Sequence, residues 1–364
     1  MKLLGGDPLP VPGTSRGSPS RDLDRFLPPR SRQALWVDSG RSALRLALTD
    51  LRRRGIRRAW LPFLCCSSVV EPFLDLSFSL SFYGQGGPED RPFWLAPPKG
   101  FAPSPDEALL FIHYFGFLNE GMTAFLGSLP PSSRPRVIED AVGASLTEGT
   151  GQWGHYTIKS FRKFLPVADG ALLAAVEPLL PGGPLPEPPD LIRADLKGRS
   201  ALGRLLAPET GRVWLRLAQE GEERFDGTIR RPAPTSLNRL GDLDVGFYGR
   251  ARRDHFLFLA EAASMKSPLI PLATLLPEGT VPLGLPALTG RSRDETLRRL
   301  RQAGIFCPVD WGVNALAPDG LDATRELARR LLVLPVDPAL TEEDLSFLLA
   351  LAAGGRKEPC HSRE

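Results

Sequence analysis

Lysine is scarce in this chain: seven residues (2, 99, 159, 163, 197, 266 and 357) stand against 38 arginines. Arginine stays protonated under ordinary conditions, whereas a lysine in an apolar or cation-rich place can lose its proton and condense with an aldehyde. Lys163 has such surroundings in Ile158-Lys159-Ser160-Phe161-Arg162-Lys163-Phe164-Leu165-Pro166, between Phe161 and Phe164 and beside Arg162. Lys159 competes for the role, and a solvated loop lysine is the plainer account of Lys163. In Asp38-Ser39-Gly40-Arg41-Ser42-Ala43, a small-residue turn opens a helical pattern. The first N–H groups there, at Gly40, Arg41 and Ser42, face out from the positive end of the helix dipole and suit an anion. An ordinary N-cap at Ser39 explains the same residues. In Val137-Ile138-Glu139-Asp140-Ala141 an apolar strand ends in two carboxylates, at the sheet edge where α/β proteins bind ligands. A carboxylate in that place needs a cation to stay ionised, either a protonated pyridine nitrogen or an arginine. Taken together, the three segments fit a phosphorylated aldehyde cofactor held through a lysine.

An alternating α/β framework would position these segments. Leu44, Ala47, Leu48 and Leu51 share one helical face, and Gly55 closes that helix. Strands are expected at Arg58–Leu61, Phe78–Tyr83, Ala108–His113 and Arg136–Glu139, with helices at Ser67–Leu74 and near Met122–Leu129. This rhythm implies a mostly parallel sheet covered on both faces. Six prolines between Pro178 and Pro189 mark a surface excursion. Helices follow over Leu191–Gln219, broken at Pro208, and over Asp244–Ala263. A smaller α/β pattern then restarts, with strands at Leu269–Leu272, Val281–Leu285 and Leu331–Leu334. One helix is opened by a Ser292–Glu295 capping box, and a last helix starts at Thr341. The expected division is an N-terminal arm (1–30), a large cofactor-binding domain (31–240), a small C-terminal α/β domain (241–353) and a tail (354–364).

Composition narrows the remaining classes. The 364 residues exceed what one compact core usually holds. Forty-five basic against 42 acidic residues leave a net charge of +3, which argues against nucleic-acid binding by general attraction. No apolar run is long enough to span a membrane, and Met1–Leu4 is too short for a signal peptide. Four scattered cysteines make neither a disulfide framework nor a metal site, so a reducing cytoplasm is expected. The four histidines are equally dispersed. Arg52-Arg53-Arg54 with Arg57-Arg58 reads as a basic helix end facing solvent, and Cys65-Cys66 as two small buried side chains.

The three segments, in this order, resemble the DegT/DnrJ/StrS family of pyridoxal-phosphate aminotransferases, which act on nucleotide-linked keto sugars. Further matches are Leu61-Pro62 before a small-residue loop, Phe82-Tyr83, His113-Tyr114-Phe115-Gly116, Arg252-Arg253, Gly304-Ile305 before Trp311, and Leu334-Pro335-Val336-Asp337. They span most of Trp36 to Ala352. The resemblance implies fold type I, pyridoxal 5′-phosphate and a homodimer with its site at the interface. It makes Lys163 the Schiff-base lysine and Asp140 the partner of the pyridine nitrogen. Ser160, with the N–H groups of Gly40, Arg41 and Ser42, would hold the phosphate. Cys66 stands literally at the ring-stacking position, with Phe63 the nearest aromatic, and Asn238 would reach the neighbouring subunit's phosphate. Two departures stand out: Gly143 replaces the family's Gln or His three residues beyond the aspartate, and Cys65-Cys66-Ser67 replaces its ring-stacking loop.

The implied activity moves an amino group from an amino-acid donor, expected to be glutamate, to a keto group of a nucleotide sugar. A dehydratase of the same family would carry histidine in place of Lys163. The rival from another class is a non-catalytic member that binds cofactor or sugar nucleotide as a sensor or scaffold, which the two departures would suit.

Overall fold

The computed structural model describes residues 3–14, 22–84, 100–206, 213–264, 269–290, 292–308 and 321–354. The chain begins with β1 (Leu4–Gly5), β2 (Gln33–Val37), α1 (Gly40–Arg53), β3 (Arg58–Pro62), α2 (Ser67–Asp75), β4 (Ser79–Tyr83) and β5 (Glu107–Ile112). It continues through α3 (Glu120–Ser128), β6 (Arg136–Asp140), β7 (Tyr156–Ser160), β8 (Ala171–Ala175), α4 (Leu191–Leu206), α5 (Val213–Glu223), α6 (Pro234–Asp242) and α7 (Val245–Ser264). The last elements are β9 (Leu269–Pro271), β10 (Gly284–Thr289), α8 (Arg293–Gln302), β11 (Ile305–Phe306), α9 (Asp322–Arg330), β12 (Leu331–Pro335) and α10 (Glu342–Ala352).

Seven strands form the main sheet in the order β2-β8-β7-β6-β5-β3-β4. All run parallel except β8, which is antiparallel to both of its neighbours. The period-2 alternation sends Ala108, Leu110 and Ile112 of β5 into a core with Leu44, Leu48 and Phe73 of α1 and α2. Leu109 and Phe111 face the other way, against Met122 and Leu126 of α3. The expected mostly parallel sheet with both faces covered is therefore present. On α1, the four residues of the apolar face are buried. Gly55, at φ +91°, ends the helix with a left-handed residue. Its N–H reaches the Arg52 carbonyl, and the Ile56 N–H reaches Leu51.

A second, antiparallel sheet (β12-β10-β9) packs with α7 and α9, and α10 packs on α7 and α8. The arm crosses to this end of the molecule, where β1 pairs in parallel with β11. Four readings change. The segment expected as a strand from Val281 starts only at Gly284, because the Val281 N–H is taken by the Thr147 hydroxyl and that of Leu283 by the Phe115 carbonyl. Ser292, at φ −53° and ψ 126°, makes no cap hydrogen bond, so no capping box forms there. One forms instead between Thr341, which is extended at φ −97° and ψ 166°, and Asp344. Helix α6, opened by Pro234 at its first turn, was not expected from the sequence. Finally, Arg53 and Arg54 bind the carbonyls of Leu180, Pro181 and Pro178, tying down the proline-rich excursion rather than facing only solvent. Pro208, Trp311, Cys360 and residues 355–364 lie outside the described residues.

Candidate active site

The C-terminal ends of β6 and β7 and the N-terminal ends of α1 and α2 meet in a cavity of about 420 Å³. Gly40, Arg41, Cys66, Asp140, Ser160 and Lys163, which come from four separate segments, all line it.

Strand alternation sorts the two carboxylates. Glu139 points away from the cavity, fully buried, where it pairs with His113 Nε2 at 2.9 Å and accepts the N–H groups of Gly151, Trp153 and Gly154. Burial opposes its ionisation, but these partners hold the carboxyl below its usual range. It ties down the 151–154 loop. Asp140 faces the cavity, and its Oδ1 accepts the Val142 N–H at 2.9 Å. Burial pushes the Asp140 carboxyl up, opposed by that N–H and by the charges of Lys163 and His113.

The same alternation takes Lys159 away from the cavity. Lys159 and Ser160 are adjacent on β7 and so point to opposite faces. Ser160 lines the cavity; Lys159 is buried off it, beside Glu139, and burial lowers its ammonium to about 8. Lys163 closes the single 3₁₀ turn Phe161–Lys163 that leaves β7. Arg252 clamps that turn, donating to the carbonyls of Lys163 and Phe164 at 3.4 and 3.3 Å.

At the start of α1 the Ser39 hydroxyl accepts the Ser42 N–H at 3.2 Å, and the Ser42 hydroxyl donates to Asp38 at 2.6 Å. The expected three-donor cradle therefore narrows to the N–H groups of Gly40 and Arg41, since Ser42 is engaged in the cap and buried behind the cavity wall. Cys66 is on the wall; Phe63 is buried away from it, under the Arg325 guanidinium. Burial raises the neighbouring Cys65 thiol to about 12. Gly143 also lines the wall, and a Cβ there would come within 2.8 Å of the His113 carbonyl oxygen. Asn238 is not brought to this cavity; it lies on α6 beside a separate depression with Thr235 and Arg239.

Sequence reading gave no site role to four further residues of the wall. Phe115 lines the cavity in the left-handed region, at φ 55°, a conformation that costs a bulky residue energy. Arg193 and Lys197 of α4, with Glu222 of α5, form another side of the cavity. The only sequence cue was an abundance of charge on two amphipathic helices, because their partners lie far away in the chain.

No family model matches the sequence, and no curated protein does. The likeness is structural and is one of fold. The chain is similar to the sugar aminotransferase CalS13 from Micromonospora echinospora, with 18% identity, 98% of this chain and 100% of that one covered, and a TM-score of 0.65. It is also similar to a DegT DnrJ EryC1 StrS aminotransferase from Brucella abortus, with 17% identity, coverage of 95% and 91%, and a TM-score of 0.59. A third is Spr1654 from Streptococcus pneumoniae in its PLP form, with 13% identity, coverage of 96% and 98%, and a TM-score of 0.63. At these identities the likeness establishes the fold. The chain has the α/β, fold-type-I architecture that the sequence resemblance implies.

Proposed function

We propose that this protein is a pyridoxal-phosphate-dependent aminotransferase of the DegT/DnrJ/StrS kind, acting on a keto sugar carried by a nucleotide, with an amino acid as donor. The observation that carries the reading is the convergence of Lys163 and buried Asp140 on one cavity with the open N–H groups that begin α1. Those residues fit the cofactor. Burial makes ionised Asp140 costly, so a cationic ring nitrogen is a well-matched partner. The N–H groups of Gly40 and Arg41, with the Ser160 hydroxyl, suit its phosphate. When bound, the cofactor would supply an electron sink for a substrate carbanion.

In this reading Asp140 holds the ring nitrogen protonated. Lys163 would be the residue that holds the cofactor through its amine, and its Nζ would take up and release the proton that moves during amine transfer. Arg252 keeps the Lys163 turn in place by binding its carbonyls. Gly143 and Cys66 offer little surface to a ring, so Val142 and Phe115 on the same wall take over the apolar contact. The reading also includes a homodimer, Asn238 serving the second subunit's phosphate, a cytoplasmic setting, and a division into an arm, a large domain to 240 and a small domain to 353. Among the described residues no helix is long and apolar enough to cross a membrane.

The test is the visible absorption of purified protein mixed with pyridoxal phosphate, followed by borohydride reduction and peptide mapping. A visible band is expected, with the reduced adduct on Lys163. Lys163→Ala should remove the band and lower amine transfer to keto sugars by more than about 10²-fold. An adduct on Lys159 would overturn the assignment. A band without amine transfer from any donor would instead favour the sensor or scaffold reading.

A further inference from the structure

Three cations from three parts of the chain converge on one carboxylate at the cavity wall. Glu222, near the end of α5, accepts from Arg41 at 2.6 Å, from Lys197 at 2.6 Å and from Arg162 at 3.3 Å. Arg162 is shared with Asp7 of the arm at 3.2 Å. Arg41, Arg162, Lys197 and Glu222 all line the same cavity as Lys163. Two carboxylates against three cations leave one positive charge in excess, before Lys163 is added.

The cluster is built to hold charge. The Arg41 guanidinium lies 4.0 Å from the centre of the Phe225 ring. The Lys197 stem is packed on Gly221, where a Cβ would come within 3.2 Å of its Cε. Burial alone would raise the Glu222 carboxyl, yet Arg162, Lys197 and Arg41 hold it down to about 2. Its side chain is nonetheless 41% exposed, whereas that of Lys197 is 11% exposed. Arg41 and Arg162 are 24% and 28% exposed, so all three cations are more buried than the anion, which is the member best placed to leave. A structural ion pair tying α5 to α1 would need one cation; a surplus of cations around an exposed carboxylate describes a filled anion site.

We propose that Arg41, Arg162 and Lys197 form an anion subsite, and that Glu222 is its internal occupant, displaced by a carboxylate or phosphate group of the incoming ligand. That the ligand is a substrate rests on the aminotransferase reading; the subsite does not. A dianion brings more charge than the side chain it replaces, so exchange is favoured. Two sources have this chemistry, the carboxylates of a dicarboxylic amino donor and the diphosphate of a nucleotide sugar. The subsite adjoins the N–H groups at the start of α1, sharing Arg41 with them, but it binds through side chains and adds those of α4 and of the segment after β7.

The experiment is calorimetric titration of the full chain, with and without pyridoxal phosphate, using glutarate and inorganic pyrophosphate as probes. Glu222→Gln should tighten binding of the matching probe by about tenfold, because the competing anion is gone. Lys197→Gln should weaken it by a similar factor, and the double variant should return near the parent. Glu222→Asp, which keeps the charge with a shorter reach, should fall between parent and Glu222→Gln, and it serves if the amide variant folds poorly. A response to glutarate alone assigns the subsite to the donor; a response to pyrophosphate assigns it to the nucleotide. Unchanged or weaker binding in both Glu222 variants overturns the proposal. The visible band reports the cofactor separately: tighter binding without a band would retain the subsite and remove the aminotransferase reading, and a band without tighter binding would do the reverse.

Discussion

At the residue scale, Asp140 shows how a ligand site costs stability. It is a buried carboxylate with one N–H partner and a nearby lysine, and its carboxyl is pushed above its ordinary value of 3.8. A raised folded-state value means that the protonated form is favoured in the fold. Relative stability from this group is then present at low pH and is lost as pH rises through the raised value. Asp140→Asn should therefore raise the melting temperature of cofactor-free protein at pH 7–8, with a smaller difference at pH 4, while weakening pyridoxal-phosphate binding. Thermal denaturation across that pH range checks the sign; an amide variant less stable at neutral pH would show that Asp140 is already well paired. Glu139 is the internal contrast, since four partners hold its carboxyl low and make it structural.

At the scale of elements, the short loop after β6 explains why one family feature is missing. Gly143 sits against the backbone of the His113–Phe115 turn, with no room for a Cβ beside the His113 carbonyl. Placing alanine or glutamine there does not restore a ring contact; it forces two backbone segments apart. Gly143→Ala should cost about 1–3 kcal/mol, measured by chemical denaturation, and lower cofactor affinity by shifting Asp140. A neutral Gly143→Ala would mean the loop yields easily, and the departure would then concern chemistry rather than packing. The α4–α5 pair is the other element that sets the character of the site, because it brings Arg193, Lys197 and Glu222 to the cavity.

At the scale of the whole molecule, the cavity is walled by segments between Asp38 and Leu283 and braced from outside by the arm and by the segment after β12. Asp7 pairs with Arg162, and Arg252 of α7 holds the Lys163 turn while lying 4.0 Å from Asp337 after β12. The lysine turn and the segment after β12 thus share Arg252 as a common neighbour. Asn238 lies outside the cavity of its own chain, so its proposed role requires a second copy. Light scattering at micromolar concentration should give twice the chain mass, and Asn238→Ala should weaken cofactor binding about tenfold without changing the fold. A monomer, or an Asn238→Ala protein with unchanged affinity, would remove that role.

Much was legible in the sequence because it is local. Ser39 capping α1, Gly55 ending it, the alternating apolar strands and the scarcity of lysine are properties of neighbouring residues, and period and propensity report them. Where Glu139, Asp140, Lys159 and Ser160 point depends on the register of β6 and β7 in the sheet, and a shift of one residue would exchange the members of each pair. Whether Ser42 offers its N–H depended on the rotamer of Ser39, and whether Ser292 capped its helix depended on its backbone angles. The meeting of Arg41, Arg162, Lys197 and Glu222 joins positions as far as 181 residues apart. No local pattern encodes such a contact, because it exists only once helices and sheet have packed. The sequence by itself determined the elements and the types of residue available for chemistry; tertiary packing decided which of them face one another.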